Sequence, residues 1–290
     1  MDEIRVQIFS DFAPSYGLRA AFKSWAYGKT EYKNLKVVDD DNYTHAVIYN
    51  CGTPKLTVPK DRVIGFMHEP FDLLDTNGYL PYIKDNIGTY ICHDKKRFPD
   101  WPCFQEGVCY LAPQVPIYDE KDEFETVNKT HQMSIIASDK TYLQGHALRH
   151  DIIRKILRTN LDIHIYGRGC KYYGGDPRVK GIVEHKPNAF TPYNFSIAVE
   201  NASYRYWVTE KFYDPILCNS IPLYWGAEEV SKIFTNNSHI ELTGKSLDEM
   251  MDIIINVYKN GSQKNYKVAK NLLRGEKNYA HYLWEKFNNV

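Results

Sequence analysis

The sequence predicts an α/β protein made of two Rossmann-like domains that share a cleft. Three observations carry this. The chain has 290 residues, more than one ordinary domain and suited to two of about 100 to 150 residues each. Short apolar runs bounded by turn residues alternate with helically spaced stretches, the pattern of a largely parallel sheet layered with helices. An interval dense in Asp, Glu and Lys, Tyr118 to Thr130, interrupts that alternation and reads as a linker. The expected domains are residues 1–125 and 126–290.

In the first half, Ile4 to Phe9 reads as a strand and Tyr16 to Trp25 as a helix, followed by strands at His45 to Tyr49, Arg62 to Met67 and Thr89 to Cys92. After the linker comes a strand at Met133 to Ala137, then a helix at His146 to Leu157. A strand at Leu161 to Tyr166 leads into the glycine-rich turn Gly167 to Gly175. The pattern repeats with a strand at Phe195 to Val199, a helix around Glu210 to Cys218 and a strand at Ile221 to Trp225. The tail from Ser246 to Val290 reads as two or three helices closing the second domain.

Composition narrows the function. Hydrophobic residues make up 43% and charged residues 25%, as in packed globular proteins. Thirty-six basic residues balance thirty-six acidic ones, so no overall field favours nucleic acid or an anionic membrane. Anion binding must come from a local site. The six cysteines contain no CxxC pair and are expected to be reduced thiols. The start of the chain is acidic from Asp2 and carries no signal-peptide pattern, and no window reaches the roughly 18 apolar residues of a membrane span. A cytoplasmic location is expected, and nothing indicates the oligomeric state.

Chemistry concentrates in Tyr193 to Val230. A buried strand ends in Glu200-Asn201, and polar groups at the carboxyl end of a parallel strand face the crevice where α/β folds bind ligands. Val208-Thr209-Glu210-Lys211 then opens a helix, where unpaired N–H groups and a lysine favour a phosphate. Ile221 to Gly226 is another buried strand, ending in a glycine that lets backbone approach a ligand. Taken singly, Glu210 and Lys211 also read as an exposed helix pair and Asn201 as a turn cap.

Taken together, Glu200-Asn201, Val208 to Lys211 and Ile221 to Gly226 resemble glycosyltransferase family 10, the α-1,3/1,4-fucosyltransferases, in a bacterial- or viral-type form. The resemblance continues through Ile254. It implies the two-domain GT-B architecture, with the donor nucleotide on the second domain and the acceptor on the first. It also implies an inverting transfer, in which GDP-β-L-fucose gives an α-fucoside. Asn201 and Glu210 match residues that contact the donor's sugar and ribose, and Lys211 matches the lysine facing the diphosphate. Trp207 stands where the family has an aromatic, usually tyrosine, against the donor. Arg149 aligns with the diphosphate-binding arginine, whose planar fork suits bidentate phosphate contact. Arg168, in the Gly167-Arg168-Gly169 turn, is the reserve cation.

Transfer needs a base for the acceptor hydroxyl. The strand Val63 to Met67 ends in His68-Glu69-Pro70, where the family carries a glutamate beside proline, usually as Glu-Ser-Pro. Glu69 is the expected base, with His68 as the alternative base or acceptor ligand. A carboxylate with a pKa near 4.3 cannot deprotonate a sugar hydroxyl beforehand, so proton removal is expected to be concerted with bond formation.

No cofactor and no essential divalent metal is expected. Asp39-Asp40-Asp41 sits in an early acidic loop, and Cys92-His93-Asp94 lacks a second pair at zinc-like spacing. The expected partners are a nucleotide-sugar donor and a glycan acceptor, with no nucleic acid. Two other readings stay open: the same chemistry with another donor, such as UDP-xylose or a rhamnose nucleotide, and a non-catalytic glycan- or nucleotide-binding module.

Overall fold

The computed structural model describes residues 2–74, 76–109, 113–117 and 124–288; half of the expected linker, residues 118–123, lies outside them. The chain divides into two compact units, Met1–Ala112 with Pro116–Lys121 and Arg274–Val290, and Pro113–Val115 with Asp122–Leu273.

The first unit runs β1 (Ile4–Ser10), α1 (Ser15–Trp25), β2 (Glu31–Tyr32), β3 (Leu35–Val38), β4 (His45–Tyr49), β5 (Val63–Phe66), α2 (Thr76–Asn86), β6 (Thr89–Cys92) and β7 (Phe104–Glu106). These strands form one sheet in the order β2-β3-β1-β4-β5-β6-β7. Every pairing is parallel except the β2–β3 hairpin. Val6, Ile8, Val47 and Ile48 are wholly buried, which is why these strands read as continuous apolar runs rather than alternating ones.

The second unit runs β8 (His131–Ile136), α3 (Gln144–Leu157), β9 (Ile163–Tyr166), β10 (Val179–Gly181), β11 (Tyr193–Val199), α4 (Glu210–Leu217), β12 (Ile221–Trp225), α5 (Val230–Ile233), β13 (Ile240–Glu241), α6 (Leu247–Asn260) and, at its end, α7 (Lys267–Arg274). Its sheet has the order β10-β9-β8-β11-β12-β13, with all pairings parallel. Ile152, Ile153 and Ile156 on α3 pack on Met133, Ile135, Ile163 and Ile165 of the sheet. Each such isoleucine is worth about 2 to 3 kcal/mol on burial. Ser246 and Glu249 form a reciprocal capping box that starts α6, and its Met250, Ile254 and Val257 join the same core.

The expectation of two α/β domains with parallel sheets is met. The expected boundary is not kept at the end of the chain. The last helix, α8 (Tyr279–Asn288), belongs to the first unit rather than closing the second. The reason is aromatic packing. Tyr279 meets Phe22 and Trp25 edge-on and pairs its hydroxyl with that of Tyr49. Trp284 Nε1 donates to Asn34 Oδ1 at 2.7 Å, Tyr32 and His281 are joined at 2.8 Å, and Phe287 lies against His45. Among the described residues no helix is long and apolar enough to cross a membrane, and no disulfide links the six cysteines.

Candidate active site

In the second unit a cavity of about 360 Å³ opens over the carboxyl ends of the strands, where parallel α/β sheets place their ligands. Its position follows from close backbone contacts that only glycine permits. Gly145, in the first turn of α3, lies so near β11 that an added Cβ would come within 1.7 Å of Glu200 O. Its N–H donates to Asn201 O at 2.9 Å. Gly167, at φ +100°, would place a Cβ 2.2 Å from Ala137 O, a backbone region that side chains avoid in any case. Helix and turn are thereby brought down onto the strand ends.

Five of the expected residues, Arg149, Arg168, Asn201, Glu210 and Lys211, line this one cavity. Arg149, only 5% exposed, donates from Nη2 to Asn201 Oδ1 at 2.7 Å. Among the described residues its Nε has no hydrogen-bond partner. Burial pushes its guanidinium down to about 10, against the pull of Glu200 and Glu210, so it stays charged at neutral pH. Arg168 is more exposed and is held by Asp139 at 3.5 Å.

Lys211 is placed by α4. Thr209 caps that helix, and its hydroxyl and N–H both donate to the carboxylate of Glu200, at 2.6 and 2.8 Å. Glu200 is fully buried; burial pushes its carboxyl up, while Lys211 and the Thr209 contacts pull it down. Lys211 Nζ lies 3.5 Å from Glu200 and 3.0 Å from Glu210. Burial opposes ionisation of Glu210, yet Lys211 and Lys186 hold its carboxyl down at about 2. Lys186 in turn pairs with the buried Asp214 at 2.6 Å, and Asp214 Oδ1 accepts the N–H groups of Gln114 and Val115. The result is an alternating string, Glu200–Lys211–Glu210–Lys186–Asp214, whose three middle members line the cavity and whose two ends are buried behind it.

Lys186 and His146, both lining residues, were not expected. Lys186 opens a short 3-10 turn, Lys186–Ala189, with no phosphate-binding pattern, and its partner Asp214 is far off in sequence. His146 could have been found from its spacing: it is three residues before Arg149 and so on the same helix face. Burial and the cations Arg149, Lys140 and Lys211 push its imidazole down to about 4, so it is neutral at pH 7.

The other expected residues lie elsewhere. Trp207 is 1% exposed and is not among the cavity-lining residues. Glu69 and His68 belong to the first unit, at the exit of β5. Their backbone N–H groups both donate to Asn50 Oδ1, at 2.8 and 3.0 Å. Asn50 holds a left-handed φ of 52°, which asparagine tolerates better than most residues. His68 is buried and stacks on Tyr49 with ring centroids 3.9 Å apart; burial pushes it down to about 3, leaving a neutral ring. Glu69 is half-buried. Of the two acidic motifs set aside as metal sites, Asp39 and Asp40 pair with Arg19 and Arg5, and Asp94 caps a turn through Lys96 N–H.

The chain shares sequence and fold with known proteins. Residues 126–268 match the family described as glycosyltransferase family 10 (fucosyltransferase), C-terminal. An alpha-(1,3)-fucosyltransferase of Helicobacter pylori is 34% identical over 73 residues, 25% of this chain and 15% of that protein. A fucosyltransferase-like protein of Arabidopsis thaliana is 27% identical over 126 residues, 42% of this chain and 23% of that protein. The chain thus spans less than a quarter of the length of these relatives. Among solved structures, an alpha1,3-fucosyltransferase superposes with a TM-score of 0.55 at 14% identity, covering 99% of this chain and 89% of that one. HepE of Anabaena, in complex with UDP-glucose, superposes with a TM-score of 0.60 at 8% identity, covering 99% and 100%. These likenesses give the fold, that of the GT-B glycosyltransferases. The family match, lying over the cavity-bearing unit, gives the descent: the chain's second domain belongs to glycosyltransferase family 10 (fucosyltransferase).

Proposed function

We propose that the chain is an inverting glycosyltransferase that moves L-fucose from GDP-β-L-fucose to a hydroxyl of a glycan acceptor. The observation that carries this reading is Arg149. A guanidinium at 5% exposure that donates to Asn201 and whose Nε meets no hydrogen-bond partner among the described residues is costly unless an anion meets it. A diphosphate in the cavity supplies that charge, with Lys211 beside it.

In this reading the acceptor oxygen forms its bond to the sugar's anomeric carbon as the bond from that carbon to the β-phosphate oxygen breaks. Glu69 takes the acceptor proton in the same step, and GDP leaves carrying the new negative charge. Attack from the face opposite the leaving group inverts the centre. Arg149 and Lys211 stabilise the charge that develops on the diphosphate, a preorganised contribution of about 3 kcal/mol per well-placed donor. Asn201 and Glu210 orient the sugar and ribose, and Arg168 adds a peripheral cation. In this reading Arg149 and Lys211 take the place a divalent metal has in other transferases, and no cofactor takes part.

Thermal denaturation with GDP, UDP and their sugars tests the reading, since a ligand that binds the folded state raises apparent stability. GDP and GDP-fucose are expected to raise the melting temperature. A shift with UDP and none with GDP would replace fucose by another donor sugar. Glu69→Gln is expected to abolish turnover and spare GDP binding; retained turnover would move the base elsewhere.

A further inference from the structure

The second unit carries a second group of chemistry-bearing side chains, at the end of the sheet away from the cavity. His131 opens β8, and Asp162 and His164 flank the start of β9. One ligand atom from each lies within 4.8 Å of the others. We propose that His131, Asp162 and His164 form a binding site for one divalent first-row transition ion, with zinc as the reference ion. Two imidazoles and a carboxylate are the donor set such ions favour.

The geometry is close to what the ion requires. With bonds of about 2.0 to 2.2 Å, neighbouring ligands of a tetrahedral zinc ion stand about 3.4 Å apart. His164 Nε2 and Asp162 Oδ1 are 3.2 Å apart. The His131 and His164 rings have centroids 4.6 Å apart. His131 and Asp162 are exposed, so each can adjust to close the remaining gap, and the fourth position faces solvent and takes water.

A second observation supports the site. His164 is 6% exposed, and its other nitrogen, Nδ1, lies 2.7 Å from the hydroxyl of Tyr193. Tyr193 in turn meets the hydroxyl of Tyr166 at 2.7 Å. This relay lets Tyr193 accept from His164 Nδ1–H while donating to Tyr166. In the metal-free protein Nε2 can donate to Asp162 at 3.2 Å; an ion would select the tautomer with the proton on Nδ1 and replace that proton between Nε2 and the carboxylate. Metal-bound histidines use their second nitrogen in this way, to fix tautomer and ring orientation.

The ion would tie the first residue of β8 to the start of β9. Ile136, which lines the cavity, lies five positions beyond His131 along β8, or about 17 Å of strand. The site is therefore structural and independent of nucleotide binding, and the inference does not rest on the proposed reaction. Lys180 works against occupancy, since its charge acts on His164.

Calorimetric titration of the metal-free full chain with zinc chloride tests it. The expected result is one equivalent bound, with affinity at least about tenfold weaker in His131→Ala and in Asp162→Asn. Both substitutions fall on exposed side chains, so folding is retained. At zinc a hundredfold above the dissociation constant, the folding equilibrium of the parent chain should rise about a hundredfold, and that of the double variant should not. Cobalt in place of zinc should give visible bands without a near-ultraviolet thiolate band, which separates this site from the six cysteines. No saturable binding up to millimolar zinc, unchanged affinity in both variants, or a thiolate band would each overturn the proposal.

Discussion

Replacing Arg149 by methionine should make the ligand-free protein more stable and its nucleotide affinity far weaker. Burial holds the guanidinium at about 10, well below its ordinary value. A depressed pKa in a base means that the folded state disfavours the charged form. The penalty is fully present below pH 10 and disappears only as pH rises from there past the group's ordinary value, so it acts in full at pH 7. It amounts to about 3 kcal/mol. Against it stands the hydrogen bond to Asn201, worth about 1.5 kcal/mol for a charged donor. Methionine fills similar space without charge, so the net gain should be about 1 to 2 kcal/mol. For a chain of this size that is a rise of a few degrees in melting temperature. The assay is urea or thermal denaturation of the parent and Arg149→Met chains, with and without GDP. The reasoning is refuted if the variant is less stable than the parent without nucleotide, or if GDP stabilises both equally.

Three further outcomes follow from contacts already described. Asn50→Ala should lower kcat for transfer by tenfold or more with GDP affinity unchanged, because the N–H groups of His68 and Glu69 lose their shared acceptor; equal kcat values in a steady-state assay would contradict this. Gly145→Ala, forcing a methyl against Glu200 O, should cost more than about 3 kcal/mol in urea denaturation or abolish GDP binding; an unperturbed variant would show that α3 can move away from β11. Glu210, held at about 2 by Lys211 and Lys186 despite burial, contributes stability that is present above its unfolded value near 4.5 and lost as pH falls through 2. Glu210→Gln should therefore flatten the loss of stability between pH 4.5 and 2, and an unchanged acid profile would remove Glu210 from the ionic string.

The central strands were legible because both of their faces are buried: β4, β6 and β12 appear in the sequence as apolar runs with the bounds they have in the structure. The edge strands β2, β7, β10 and β13, each of two or three residues, are too short to show any period, and α2 was hidden by the internal Pro81. In the site, Asn201, Glu210 and Lys211 stood out because a strand end and a helix start carry polar residues at a recognisable spacing. Arg149 was reached through the family pattern, since an arginine on an amphipathic helix carries no sign of being buried. Lys186 was invisible for a related reason: its role depends on Asp214, on a different element. The amphipathic pattern of the tail announces helices with a buried face but cannot say which sheet they cover, and α8 went to the unit the sequence did not suggest.

That placement of α8 bears on the order in which the chain folds during synthesis. Tyr279, Leu283 and Phe287 are buried in a unit whose sheet is otherwise complete by Glu106. Domains close as units while the chain emerges from the ribosome. The later-encoded unit has all its residues available at Leu273, whereas the earlier one waits, with an open aromatic seam around Phe22, Trp25 and Tyr49, until the last helix has been made.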